Sequence, residues 1–389
     1  MKLEALVARE LTMRLVAPFE TSFGVTHDRR ILLVELITDQ GSGWGEVTAG
    51  EGPFYSPECT DTAWVVLRDF LAPLVLGRTV DDPGELAAVM APVRGHNMAK
   101  AAVENAAWHA CAEANGVSLS HMLGGTLAEI HSGVSLGIHN DVRVLLDRIA
   151  LELDAGYRRI KLKIRPGKDA DVVSAVRHRF PSIHLTVDAN SAYTLEDAEI
   201  LRRLDEFALD YIEQPLAWNE IVQHATLQSQ LSTAICLDEC IHNLRDAQAA
   251  VNLGACRVIN IKLGRVSGHS EARRIQRYCL DQGIPAWCGG MLESGIGRAH
   301  NIAMSSLPGF ILPGDVSASR RYWTRDIIQP EVTVNPSGTI QVPTEPGLGF
   351  ALDLESINRQ TVRTETWTAN APVSSGAVQH GEPAVPLRN

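Results

Sequence analysis

No stretch of this 389-residue chain approaches the run of about eighteen apolar residues that a membrane helix needs. The opening segment MKLEALVARELTMRL interrupts its apolar residues with Glu4, Arg9, Glu10 and Arg14, so it reads as neither a signal peptide nor a span. A basic excess is also missing. With a formal net charge of -11, the broad cationic face that nucleic acid demands is not expected, although a local basic patch can still draw in a small anion. Paired cysteines are missing too. The seven cysteines are scattered and odd in number, and Cys236 and Cys240 bracket Asp238 and Glu239 with no second pair at zinc spacing. Buried free thiols in a reducing cytosol are the expectation, and with them a cytoplasmic enzyme. Finally, no Gly-rich dinucleotide turn follows a first strand, which counts against an open doubly wound sheet.

What is present is a repeat. From about residue 130 to 320, runs rich in β-branched and apolar residues recur every 25 residues or so: HSGVSLGI, YRRIKLKI, IHLTVDAN, LDYIEQP, TAICLDE, CRVINIK, IPAWCGG and FILPGD. Segments with helical spacing, such as TLEDAEILRRLDEF and SGHSEARRIQRYCLDQG, separate them. Strands alternating with helices of this length predict βαβ units on a parallel sheet, and eight such units close a (β/α)8 TIM-type barrel. The flanks differ. LEALVARELTMRL and ILLVELITDQGSGWGE alternate and predict an antiparallel sheet. Ser56-Pro57-Glu58 resembles an N-cap followed by proline, opening a helix toward Leu71. GHNMAKAAVENAAWHACAEANG predicts a long Ala-rich helix ending at Gly116. The expected division is an α+β capping domain over 1–125, the barrel over 126–325, a segment over 326–360 returning to the cap, and a polar tail over 361–389.

The polar residues fall on the repeat. Lys161 and Lys163 end the second strand, Asp188 the third, Glu213 the fourth, Asp238 the fifth and Lys262 the sixth, so that from Lys163 onward the steps are 25, 25, 25 and 24 residues. In a barrel these ends converge on the C-terminal mouth. Three carboxylates at one mouth repel one another without a cation, and oxygen-only ligands suit Mg²⁺. Lys161 and Lys163 lie on one face of their strand, and a neighbouring ammonium together with a metal ion could lower the pKa of Lys163 into the range of a base. The two flanking strands aim their lysines into the mouth from opposite sides.

KLKI (161–164), VDAN (187–190), IEQP (212–215), LDEC (237–240) and NIKLGRVSG (260–268) resemble the muconate-lactonizing subgroup of the enolase superfamily. Within it, GWGEVTAGEGPFYSPE, GGMLESGIGRAHNIAMSSLPGF and PGDVSASRRYW are similar to the N-succinylamino acid racemase / o-succinylbenzoate synthase family. The resemblance runs to about residue 355. It implies a modified, enolase-like barrel under an N-terminal cap. It also implies Mg²⁺, or Mn²⁺ or another divalent metal in its place, on Asp188, Glu213 and Asp238. Lys163 and Lys262 would be the acid/base pair with Lys161 assisting, and Asn190 and Glu239 would support the ligands. Arg265 resembles a position associated with racemase members. Phe19, Phe23, Phe54 and Tyr55, from loops resembling the family's lids, would cover the mouth, and Ser135, Met291 and Glu293 would touch substrate. The Gly-rich run CGGMLESGIGR could cradle an acyl or carboxylate group. Cys240, Leu263 and Ser267 depart from the residues common in relatives, at positions that would touch no ligand. The implied activities are racemisation of N-acyl (N-succinyl) amino acids and dehydration to o-succinylbenzoate. Cycloisomerase and dipeptide epimerase activities are further options, the last disfavoured because Asp315-Val316-Ser317 lacks a second acid. A small carboxylate is the expected partner, neither nucleic acid nor membrane is expected, and the enzyme is expected to be a homo-oligomer.

Overall fold

The computed structural model describes residues 1–369. The chain beyond, which holds most of the predicted polar tail, lies outside the described residues. It begins with an antiparallel sheet of β1 (Leu3–Thr21), β2 (Gly24–Thr38) and β3 (Gly41–Val47). Ile31 to Val34 are fully buried, which is unusual for an antiparallel strand and reflects a sheet covered on both sides. Ile31 and Leu33 pack with Leu11, Met13 and Phe19 toward the barrel. Leu32, Val34 and Leu36 pack toward the cap helices.

The first helix, α1 (Thr60–Val66), starts at Cys59 and not at Ser56 as the Ser-Pro pair predicts. Ser56 Oγ instead closes a local turn onto Glu58. The Glu58 carboxylate accepts the Met98 amide at 3.0 Å, capping the N-terminus of α2 (Asn97–Ala114). That helix is buried almost all round, and its alanines let it sit directly on β3. A Cβ on Gly43 would lie 2.0 Å from the Ala106 carbonyl oxygen, so glycine is required there by close approach.

The barrel strands follow in a single parallel sheet: β4 (Gly133–Leu136), β5 (Arg159–Lys163), β6 (His184–Asp188), β7 (Ile212–Glu213), β8 (Ile235–Leu237), β9 (Val258–Ile261) and β10 (Ala286–Cys288). Among the crossover helices are α3 (Val142–Asp154), α4 (Ala170–Arg179), α5 (His269–Gln282) and α6 (Gly295–Ser305). The predicted helix over TLEDAEILRRLDEF is broken into short 3₁₀ and α pieces. The predicted eighth strand, FILPGD, is not a regular strand. Pro313 cannot donate to a ladder, and the segment closes the barrel through single bridges, Phe310 with Ala286 and Gly314 with Ser132. Asp315 N also donates to Cys288 O at 3.0 Å.

In the segment over 326–360, Gly347 O accepts from Leu119 N at 2.7 Å. The chain does not then become a tail at 361. Thr361–Thr368 forms β11, antiparallel to β1, and extends the capping sheet. Its exposed, mixed residues have the composition of a tail because one face of an edge strand meets water. Among the described residues no helix is long and apolar enough to cross a membrane.

Candidate active site

Parallel register does the assembly. Lys163 pairs with Asp188 across β5 and β6, and Asp188 pairs with Glu213 across β6 and β7, so the three side chains leave on one face at one height. Asp238 and Lys262 follow β8 and β9 directly. The result is a chain of buried ion pairs. Lys163 Nζ donates to Asp188 Oδ2 at 2.6 Å and to Asn190 Oδ1 at 2.6 Å. Lys161 Nζ donates to Glu213 Oε2 at 2.7 Å and lies 3.2 Å from Asp188. Lys262 Nζ donates to Asp238 Oδ2 at 2.9 Å.

Charge crowding shows in the titration of these groups. Burial pushes the Asp188 carboxyl upward, but Lys163 and Lys161 outweigh it and hold it below its ordinary value. Glu213 moves up, from burial and from the Asp188 charge beside it. Burial would lower Lys262, yet Tyr55, Glu239 and Glu213 raise it above its ordinary value. Lys161 is held high in the same way by Asp315, Glu213 and Asp188, so in this arrangement it is pinned as an ammonium.

Do these residues suit a divalent cation? Among the described residues no three His, Cys, Asp or Glu side chains converge as a ready-made ligand cluster, and each of the three carboxylates is engaged by a lysine. The donor set itself fits. Asp188, Glu213 and Asp238 are buried carboxylates at the ends of three adjacent strands, the oxygen donors a hard cation takes, and Glu239 adds a buried Oε2 with no partner. Outer groups already orient them. Asn260 Nδ2 donates to Glu213 Oε1 at 2.8 Å, Asn190 Nδ2 to Glu239 Oε1 at 3.0 Å, and Arg265 Nη1 to Asp238.

The mouth opens into a cavity of about 420 Å³, lined by both lid loops and by Lys161, Lys163 and Lys262. Ser22 Oγ, at the turn between β1 and β2, donates to the Asn190 carbonyl at 3.1 Å and pins that hairpin to the barrel. Of the four predicted cover aromatics only Phe19 is buried, at 8%, whereas Phe23 is 42% and Phe54 74% exposed. Both exposed rings still line the cavity, so the two form a rim and not a seal. Tyr55 is more than a cover. Its hydroxyl donates to Asp238 at 3.2 Å and accepts from Lys262 at 3.1 Å, and Lys262 lies 4.5 Å from its ring centre.

A family model described as "Enolase C-terminal domain-like" matches residues 145–357, more than half of the chain. The chain belongs to the enolase superfamily. Residues 2–124 match the mandelate racemase / muconate lactonizing enzyme N-terminal domain. An o-succinylbenzoate synthase of Geobacillus kaustophilus is 51% identical over 360 residues, 92% of this chain and 96% of the relative. An N-succinylamino acid racemase of Amycolatopsis sp is 47% identical over 352 residues, 90% of this chain and 95% of the relative. Among solved structures, an enolase-superfamily protein from Listeria innocua Clip11262 superposes with a TM-score of 0.92 at 42% identity, covering 95% of this chain and all of that one. Members of the superfamily use a divalent metal, typically Mg²⁺.

Other residues of this superfamily site escaped the reading of strand ends. Asp315, on the segment that closes the barrel, pairs with Lys161 and with Arg159 Nη1 at 2.8 Å. Trp287 lies beneath, with Lys161 Nζ 4.9 Å from its ring centre. Asn260 sits two residues before Lys262, the same offset as Lys161 from Lys163, and that offset was its signal. Ser135 lines the cavity with an unpartnered, buried Oγ, and Met291 lines it half-buried. Glu293 lines it too, but its Oε1 already accepts from Met291 N at 2.7 Å and Asn301 Nδ2 at 3.0 Å. The Gly-rich run divides. A Cβ on Gly290 would meet the Asp315 carbonyl oxygen at 2.5 Å beside the cavity, whereas Gly295 and Gly297 are small to clear Ile328 and Glu46.

Proposed function

We propose that this enzyme racemises N-acyl, chiefly N-succinyl, amino acids by removing the α-proton on one face and donating a different proton on the other. The observation that carries the reading is that Lys163 and Lys262 line one cavity from strands on either side of those bearing Asp188, Glu213 and Asp238. Asp188, Glu213 and Asp238 would hold the divalent ion. When bound, that ion supplies positive charge opposite the substrate carboxylate. Lys163 and Lys262, whose amino groups reach Asp188 and Asp238, are this chain's own groups placed to move the proton. Lys163 takes the α-proton from one enantiomer, and the Lys262 ammonium donates a proton of its own to the opposite face of the planar enediolate. In the reverse direction the roles exchange. Lys161 stays charged over Trp287 and stabilises the negative charge, while Tyr55, Asn190 and Arg265 position Lys262, Lys163 and Asp238. Phe19 and Tyr55 limit water at the reacting carbon.

Dehydration to o-succinylbenzoate is the second reading, favoured by relatives of that name at 51% and 42% identity. It starts with the same proton removal, one lysine acting as base and the other supplying charge. Dipeptide epimerisation is disfavoured, since Asp315 is already committed to Lys161 and Arg159 and Ser317 stands where a second acid would be needed.

The experiment is an assay of both reactions on purified enzyme before and after chelation. Exhaustive chelation should abolish racemisation of an N-succinyl amino acid, and Mg²⁺ or Mn²⁺ should restore it. Full activity after chelation contradicts the assignment, and dehydration without racemisation selects the second reading.

A further inference from the structure

Neighbouring arginines on β2 meet very different surroundings. Arg30 faces the outer side of the capping sheet and is paired with Glu10 at 2.7 Å and with Asp61 at 2.8 Å. Arg29 is on the opposite face, in phase with Ile31 and Leu33, and lines the active-site cavity. It is 95% buried, yet among the described residues its one hydrogen bond runs from Nη2 to the Ala49 carbonyl at 3.2 Å. Its Nε is buried with no partner. The nearby carboxylates do not satisfy it, being otherwise engaged. Glu46 accepts from Ser294 Oγ and the Gly297 amide, and Glu293 from Met291 N and Asn301. Burial depresses the guanidinium below its ordinary value despite the fields of Glu46, Glu293 and Glu51. A buried cation with spare donors is expensive unless an anion completes it.

We propose that Arg29 is the subsite for the remote carboxylate of the acyl group, selecting acyl chains that end in an anion over neutral ones. This rests on the reading of the site given above, and it deepens that reading by naming the residue that selects the acyl group. The racemase and synthase reactions share a succinyl group, so a substrate of either kind brings two anions into one cavity. One carboxylate is handled at the strand ends of the barrel. The other needs a positive partner on the cap side of the same cavity, and Arg29 is the buried, incompletely bonded guanidinium there. A planar guanidinium also accepts a carboxylate through two parallel hydrogen bonds, which gives direction as well as charge.

The test compares N-succinylphenylalanine with its neutral isostere N-succinamoylphenylalanine, using the full chain with Mg²⁺. The wild type should prefer the succinyl compound by about ten- to a hundredfold in kcat/KM, the scale of a charged hydrogen bond. In Arg29→Met that preference should fall to within about threefold, mostly by a rise in KM for the succinyl compound. Arg29→Lys should keep part of it. A wild type without the preference, or an Arg29→Met enzyme that retains it or loses both substrates equally, overturns the proposal. If Arg29→Met does not fold, Arg29→Lys decides: a preference unchanged from wild type also overturns it. Should the wild type turn over neither compound, the racemase reading has failed, and binding tests the arginine alone. N-succinylglycine should then raise the Tm of the wild type more than N-succinamoylglycine does, a difference that Arg29→Met should lose. Equal shifts in the wild type overturn the proposal.

Discussion

The cap-side core around β2 and α2 is as buried as the mouth of the barrel, yet the two are made of different material. Around Leu32, Val34 and Leu36 the contacts are aliphatic, each such side chain contributing about 1.5–3 kcal/mol by leaving water. At the mouth, Lys161, Asp188, Glu213, Asp238 and Lys262 are equally hidden, in a setting where desolvation of each charge can exceed what pairing returns. The first region keeps the fold. The second is tolerated by the fold for what it does, and its carboxyls are displaced in opposite directions because the charges are crowded and not relaxed.

That contrast can be broken from both sides. Glu213→Gln should lower racemisation by at least about a hundredfold, as loss of a transition-state charge contact does. Its Tm should stay near or above that of the wild type, because a buried carboxylate next to Asp188 is removed. Leu32→Ala should do the reverse, costing about 2–5 kcal/mol in denaturant unfolding while the folded fraction retains its kcat. If Glu213→Gln unfolds the protein as readily as Leu32→Ala does, the mouth is structural and the distinction fails.

The lids sharpen the comparison on a smaller scale, since Phe19 belongs to the apolar packing and the Tyr55 hydroxyl to the charged network. Tyr55→Phe removes a hydrogen bond to a metal-ligand candidate and should weaken Mg²⁺ activation by about tenfold. Phe19→Ala should raise KM about three- to tenfold and leave the Mg²⁺ dependence untouched. Metal titrations of activity separate the two. Identical Mg²⁺ curves for Tyr55→Phe and wild type would remove Tyr55 from the ligand network.

Which of these features can be read in the sequence follows from the same division. The strand-end residues stand out because barrel units repeat along the chain: steps of 25 residues put Lys163, Asp188 and Glu213 in register, with Asp238 two residues past Cys236, the partner of Glu213. Asn260 and Asp315 fall off those steps, 22 residues after Asp238 and 53 after Lys262, which is why the spacing passes over them. Contacts across the two domains carry no such period. Tyr55 reaches Asp238 over 183 residues, and nothing local to its loop encodes that meeting. Arg29 leaves a faint trace, a charge at the inward phase of an otherwise apolar strand. Irregular backbone was hardest to anticipate. Pro313 turns the eighth strand into a pair of bridges, the true cap of α2 is Glu58 from a distant loop, and β11 hides in a segment whose exposed face looks like a tail.

Proton exchange in D₂O with single lysine variants tests the central claim most directly. If Lys163 and Lys262 each serve one face of the enediolate, either alanine variant should lose net racemisation. Each should still exchange the α-proton of one enantiomer, slowly, because the lost ammonium also stabilised the enediolate. Lys163→Ala should wash deuterium into one enantiomer and Lys262→Ala into the other, as read by proton NMR. Near wild-type racemisation by either variant would contradict the two-base account and shift attention to Lys161.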